Sequence, residues 1–233
     1  MQRNEIKINK DNMETMQQLI QSVSATQNSQ NTSLQRLSEQ GQNKAMALLQ
    51  RWPEPKNFLF AYRPQLMPKI CADIQRCFDL DNASPSLQIV CAAYGEDVAT
   101  SFLALMIRDA LTAVEGKDAM SVAQIDSLCR TWQTDPFVRQ LKLSEMFVFF
   151  HFFKNGQLGV VYGSVTPKSF ADALQAFRPV RSRMIDQVEN EKAAARREKE
   201  RANAITFREW KRLNSDKVSP QVESLIDVVF HPS

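Results

Sequence analysis

Histidine, glycine and metal-spaced cysteine are all scarce in this chain of 233 residues. The four cysteines, Cys71, Cys77, Cys91 and Cys129, include no CxxC pair, and only His151 and His231 could join them. That excludes the common zinc-finger spacings and gives little support to a disulfide framework. The cysteines lie in apolar, helical-looking stretches and are expected to be small core-facing residues, with no metal and no cofactor bound. Of the six glycines, Gly156, Gly159 and Gly163 are grouped, yet they lack the spacing and the strand–turn–helix setting of a dinucleotide fingerprint. A Walker A lysine and hydroxyl pair is also absent. Long apolar runs are missing too. The densest, at 146–153, reads MFVFFHFF, is far short of the roughly 20 residues that span a bilayer, and is interrupted by His151. Residues 1–20 show neither the apolar core nor the small-residue cleavage pattern of a signal peptide. The expectation is a soluble, cytoplasmic protein without membrane contact.

Groupings that would carry catalysis are equally thin. Asp109 and Glu115, or Asp118 and Asp126, have no spacing diagnostic of convergence on a metal or a substrate. Ser144-Glu145 lacks the glycines of a nucleophile elbow, and Cys129 has no identifiable histidine partner. His151 stands among phenylalanines, which favours a hydrogen-bonded core or boundary residue over a general base. The chain is therefore read as non-enzymatic, with no catalytic residue.

Charge is modest overall but uneven. The net charge of +3 does not by itself mark a nucleic-acid binder. Residues 178–217, however, carry twelve Lys or Arg against seven Asp or Glu, whereas the rest of the chain has 17 against 19. Arg178, Arg181 and Arg183 form one knot and Arg196, Arg197, Lys199 and Arg201 another. These seven are the candidate nucleic-acid-binding residues, because contact with a phosphate backbone needs multivalent positive charge more than a base-reading motif. Glu191, Glu198 and Glu200 dilute that field, and a solvated helix of mixed charge is the competing reading.

Helical periodicity dominates what is present. The first 50 residues are rich in Gln, Asn and Ser and lack aromatic side chains, so they bury little surface alone. Helices at 11–23 and 32–51 are expected to lean on the body or on a partner, the second ending at Trp52-Pro53-Glu54-Pro55. Leu66, Ile70, Ile74, Cys77 and Phe78 predict one helical face over 64–78. Ser84-Pro85 reads as an N-cap and first helical proline for a helix at 85–94 that stops near Gly95. Asp97 caps the strongly apolar stretch that follows, whose breadth marks it as central to a bundle. Ser121 starts a helix at 121–133 that turns Val122, Ile125, Leu128, Cys129 and Trp132 inward. For 141–153 a buried helix capped by Ser144 is preferred over a strand, since apolar residues occupy both faces of the alternative. Residues 157–163 allow a small strand. Thr166-Pro167 starts another helix, which Pro179 should end or kink near Phe177, and Phe207, Trp210, Leu213 and Val218 are expected to clip a C-terminal arm to the core.

The fold expected is mainly α: an irregular helical bundle with long helical N- and C-terminal arms and room for one small β-hairpin. Its divisions are a polar helical arm at 1–54, a helical core at 55–188 and a charged helical extension at 189–233. Between Ser121 and Met184, four segments in order carry a resemblance: Val122-Ala123-Gln124-Ile125, then 141–146 (LKLSEM), then 156–163 (GQLGVVYG), then Ala173-Leu174-Gln175-Ala176-Phe177. Their order resembles an uncharacterised helical family associated with Bacteroidetes prophages and other mobile elements. The resemblance implies a mobile-element accessory role, in DNA replication or its regulation, and identifies no catalytic residue. The functional expectation is an adaptor that holds a protein partner or self-associates and touches DNA weakly. The alternative is a helical oligomerisation or scaffolding module without nucleic-acid binding.

Overall fold

The computed structural model describes residues 37–113, 120–159 and 164–204, together with Arg212. Among these residues every regular element is a helix, and the helices form an irregular bundle. The expected helix at 11–23 and the clip at Phe207, Trp210, Leu213 and Val218 lie outside the described residues, as do 160–163 of the allowed strand; residues 157 and 158 form a turn. Contacts divide the chain into two units, Met1–Val188 and Glu189–Ser233.

In the first unit, helix α1 (Glu39–Arg51) starts where the Ser38 hydroxyl accepts the Gly41 amide at 3.3 Å, and it ends before Pro53. It buries Ala45 and Leu48, so part of the segment read as a polar arm belongs to the core. Helix α2 (Pro55–Ala61) opens on Pro55, whose missing amide costs nothing in a first turn. The single helix expected over 64–78 is instead three pieces: a 3-10 turn (Pro64–Leu66), α3 (Met67–Ile70) and α4 (Ile74–Phe78). Pro64 and Pro68 each remove an amide donor, and Asp73 takes an N-cap conformation, accepting the Arg76 amide at 3.1 Å, which restarts the chain as a new helix.

Helix α5 (Leu87–Tyr94) is capped by Ser86, two residues later than Ser84-Pro85 suggested. Residues 84 and 85 serve a distant partner instead. Leu87 N–H donates to the Leu141 carbonyl and Leu143 N–H to the Pro85 carbonyl, an antiparallel bridge centred on Ser86 and Lys142. Ser84 Oγ then accepts the Ser144 amide at 3.0 Å. Helix α9 (Leu143–Lys154) therefore has its first amides satisfied from the 84–85 segment, and Ser144 is not its cap. The Ser144 hydroxyl is buried and donates to the Cys77 carbonyl at 3.1 Å.

Gly95, at φ 90°, closes α5 in the left-handed region that suits glycine. Helix α6 (Glu96–Ala113) follows at once, so Asp97 sits inside its first turn rather than capping it. Its buried stripe of Val98, Phe102, Met106, Ile107 and Ala110 lies at the centre of the core. Helix α7 (Val122–Thr134) has a reciprocal cap: Ser121 Oγ accepts the Gln124 amide and Gln124 Oε1 accepts the Ser121 amide. Ile125, Leu128, Cys129 and Trp132 turn inward as expected, but Val122, the first residue of the helix, is 68% exposed. After α8 (Pro136–Gln140), α9 runs through the core as the preferred helix, with Phe147, Phe149 and Phe150 fully buried.

Helix α10 (Pro167–Asn203) does not end at Pro179. The carbonyl that loses its donor belongs to Gln175, and Gln175 and Pro179 are both exposed, so water can serve it. On the opposite face Phe170, Ala173, Leu174 and Phe177 are buried, and packing holds the helix through the proline. Phe170 stacks on Phe153 at 4.4 Å between centroids, while Phe177 meets Phe149 at 5.4 Å.

Candidate nucleic-acid interface

The first arginine knot is largely committed within the chain. Arg181 makes a two-pronged ion pair with Glu145, Nε to Oε1 at 3.0 Å and Nη2 to Oε2 at 3.3 Å. Glu145 is almost wholly buried, and its Oε2 also accepts the Lys142 amide at 2.8 Å. Planar guanidinium and carboxylate forks match in this geometry, which is why arginine rather than lysine holds the site. Arg178 lies over the Phe137 ring at 4.3 Å and reaches Asp135 Oδ2 at 3.4 Å. Asp135 in turn caps α8 by accepting the Phe137 and Val138 amides. Only Arg183 of the three points its charge outward, with Nε 3.4 Å from the Pro179 carbonyl.

The second knot lies in the second unit. Arg196, Arg197, Lys199 and Arg201 are all exposed on one helix, and Arg201 stands 4.0 Å from Glu198, a separation at which solvent screens most of the attraction. Lys192 and Glu189 pair at 3.4 Å nearby.

Other residues singled out for chemistry have structural partners. Asp109 pairs with Lys154 at 2.8 Å and Asp126 with Arg130 at 2.9 Å, while Glu115 and Asp118 lie outside the described residues. His151 is a half-buried boundary residue whose Nε2 lies 3.2 Å from Asn155 Nδ2. Among the described residues no three His, Cys, Asp or Glu side chains converge as a metal site would require, and no helix is long and apolar enough to cross a membrane.

All four cysteines are free and buried. Burial pushes the Cys71 and Cys129 thiols up to about 12 and those of Cys77 and Cys91 to about 11. A native chain at pH 8 should therefore react with an aromatic disulfide reagent at far less than one thiol per chain over minutes, and at all four once unfolded in guanidinium. Because folding raises these values, their stabilising effect is complete below about pH 9. It is lost as pH climbs toward 11, by up to about 1.4 kcal/mol per pH unit for each thiol, which urea titrations at pH 8 and 10 will register. Rapid native labelling would contradict the packing described.

Chain comparison gives no external guide to the site. Searches against protein-family models, curated proteins and solved structures find no match. What remains to define the site is the chain's own geometry.

That geometry brings together cations the sequence did not group. Lys142 Nζ donates to three backbone carbonyls, those of Asp79 at 3.1 Å, Leu80 at 2.8 Å and Asn82 at 2.8 Å, which uses all of its donors. Desolvation lowers its pKa from the ordinary lysine value, and the charge on Glu145 opposes that shift. Asn82 steadies the same loop, donating to the Arg76 carbonyl at 2.7 Å and accepting the Ser84 amide at 2.9 Å. Beside this loop lie two cavities of about 600 and 470 Å³ that share Arg51, Trp52, Tyr62, Asn82, Ala83 and Ser84. Lys44 and Lys142 complete the basic lining of the first, Lys69 and Arg76 that of the second. The one sequence signal for this set was the seven-residue interval between Lys44 and Arg51, which puts both on one face of α1 about 10 Å apart.

Proposed function

We propose that this chain is a non-enzymatic helical adaptor whose first unit holds a protein partner and whose second unit makes a weak phosphate contact with DNA. The observation that carries the DNA part is the exposure of Arg196, Arg197, Lys199 and Arg201 on one helix, where, among the described residues, Arg201 alone approaches a carboxylate, at 4.0 Å. Arg178 and Arg181 are withdrawn from that role by their pairs with Asp135 and Glu145, and Arg183 stays available. The resemblance to the prophage and mobile-element family supports an accessory role in replication. Cytoplasmic placement belongs to the same proposal.

The alternative, a scaffolding or self-associating module without nucleic acid, draws on the large apolar side chains left on the surface, Phe60 at 57%, Met46 at 50%, Leu80 at 54% and Val122 at 68% exposure. Fluorescence anisotropy with a labelled duplex across low and moderate salt separates the two. Replacing Arg196, Arg197 and Arg201 by glutamine should weaken binding several-fold and make the log-affinity against log-salt slope shallower by about 2 to 3, since each lost phosphate contact removes about 0.9. Equal affinity for heparin would reduce the contact to charge attraction. No association at low salt by the folded chain, with capture of a protein partner retained, would reject the DNA component.

A further inference from the structure

A cavity that takes a small ligand typically encloses roughly 300 to 1,000 Å³ and sets a few polar groups among apolar walls. Both cavities beside the 79–84 loop have that size, at about 600 and 470 Å³, and among the described residues their linings carry five cations, Lys44, Arg51, Lys69, Arg76 and Lys142, against one carboxylate, Asp73. Asp73 is occupied as the cap of α4, accepting the Arg76 amide at 3.1 Å. Lys142 has spent its donors on the loop but leaves its charge there, tempered by Asp79 and Asp81 close by. The other four cations are exposed. An anion is the ligand this field selects.

The remaining walls say which anion. The partition between the cavities is aromatic: Trp52 and Tyr62 meet edge to face at 5.6 Å, and the Arg51 guanidinium lies 4.4 Å over the Trp52 ring, a flat cationic platform on which a planar group can stack. Gln40, Gln88 and Gln140 also line the first cavity. A glutamine amide donates and accepts in one plane and so matches the paired donor and acceptor on an adenine edge. A bare phosphate would use the cations and the amide donors but neither the aromatic platform nor the amide acceptors. We propose that the cavities bind an adenine nucleotide, its phosphate between Lys44 and Arg51 and its base against the aromatic and amide walls. The source of that nucleotide is either a free molecule or one unit of a single strand that continues past Lys69 and Arg76. The site lies in the first unit and is independent of Arg196, Arg197 and Arg201.

Calorimetric titration of the full-length chain in about 0.1 M salt, an ionic strength that screens beyond about 10 Å, tests it with AMP, inorganic pyrophosphate, the single strand dA12 and poly-glutamate. The dA12 titration is run on the Arg196→Gln, Arg197→Gln, Arg201→Gln background, so that loss of the second-unit contact cannot be mistaken for loss of this site. AMP should bind at least tenfold more tightly than pyrophosphate, and Lys44→Gln with Arg51→Gln should weaken AMP tenfold or more. Lys44→Gln alone, at an exposed position, should weaken it about threefold and guards against a folding defect from the Arg51 change. If dA12 binds more tightly than AMP and Lys69→Gln with Arg76→Gln weakens dA12 further, the site takes a strand. If AMP matches dA12 and ignores that second pair, it takes the free nucleotide. Absence of heat with both AMP and dA12, pyrophosphate or poly-glutamate binding as tightly as AMP, or indifference of AMP to the Lys44 and Arg51 changes would each overturn the proposal.

Discussion

Replacing Glu145 by alanine should lower the unfolding free energy by about 3 to 5 kcal/mol, because it leaves the Arg181 guanidinium without its counter-charge next to a buried surface. The carboxylate is 2% exposed and satisfies three donors at once, two on Arg181 and the Lys142 amide, so no water replaces it cheaply. Arg181→Met should cost a similar amount from the other side. Glu145→Leu combined with Arg181→Met should recover a large part of the loss, since desolvating two charges is itself expensive and an apolar pair of similar volume avoids that cost. Urea unfolding followed by far-UV circular dichroism reads all of these variants. Duplex affinity per folded molecule should be unchanged in Arg181→Met. A marked fall in DNA binding there, with stability intact, would return Arg181 to the phosphate contact.

The second large effect is expected at Phe149. Among the described residues its ring has four aromatic neighbours: Trp132 at 5.6 Å, Phe150 at 5.1 Å, Phe153 at 6.4 Å and Phe177 at 5.4 Å between centroids. Phe149→Ala removes the transfer free energy of a fully buried ring, opens a cavity, and forfeits edge-to-face contacts worth about 0.5 to 1.5 kcal/mol each beyond area. A loss of about 3 to 5 kcal/mol follows, or roughly a 10 °C fall in thermal midpoint for a chain of this size. Phe152, half-buried on the same helix with His151 as a ring neighbour at 6.1 Å, should lose far less on the same substitution. Equal losses at 149 and 152 would mean that α9 is rotated from the orientation described.

What could be read in the sequence was local. The Ser121 and Gln124 cap lies within one turn, so its residues announce it, and the apolar stripes of α6, α7 and α9 repeat at intervals that sequence displays directly. Val122 is the instructive miss within α7: its spacing puts it on the face of Ile125 and Cys129, yet as the first residue of the helix it is exposed. Ser144 had the right chemistry for a cap, yet the group that meets its amide is Ser84, 60 positions away. Charge shows the same limit. The sequence displays Arg178 and Arg181 as a positive knot but not the carboxylates of Asp135 and Glu145 that meet them, 43 and 36 positions back. The cations of the two cavities escaped for the converse reason: no local window holds Lys44, Arg51, Lys69, Arg76 and Lys142 together.

The bridge between residues 84–87 and 141–144 also bears on how the chain finds its shape. Bringing Ser84 to Ser144 closes a loop whose entropic cost grows only with the logarithm of its length, and that cost falls once, at this join. Helices α5 to α8 all lie inside the closed loop. Once it shuts, α4 and α9, distant in sequence, become near neighbours along the shortest connected path, and their packing requires no second long search. The join thus converts a non-local topology into one whose later steps are short-range, the condition under which helical domains fold fast.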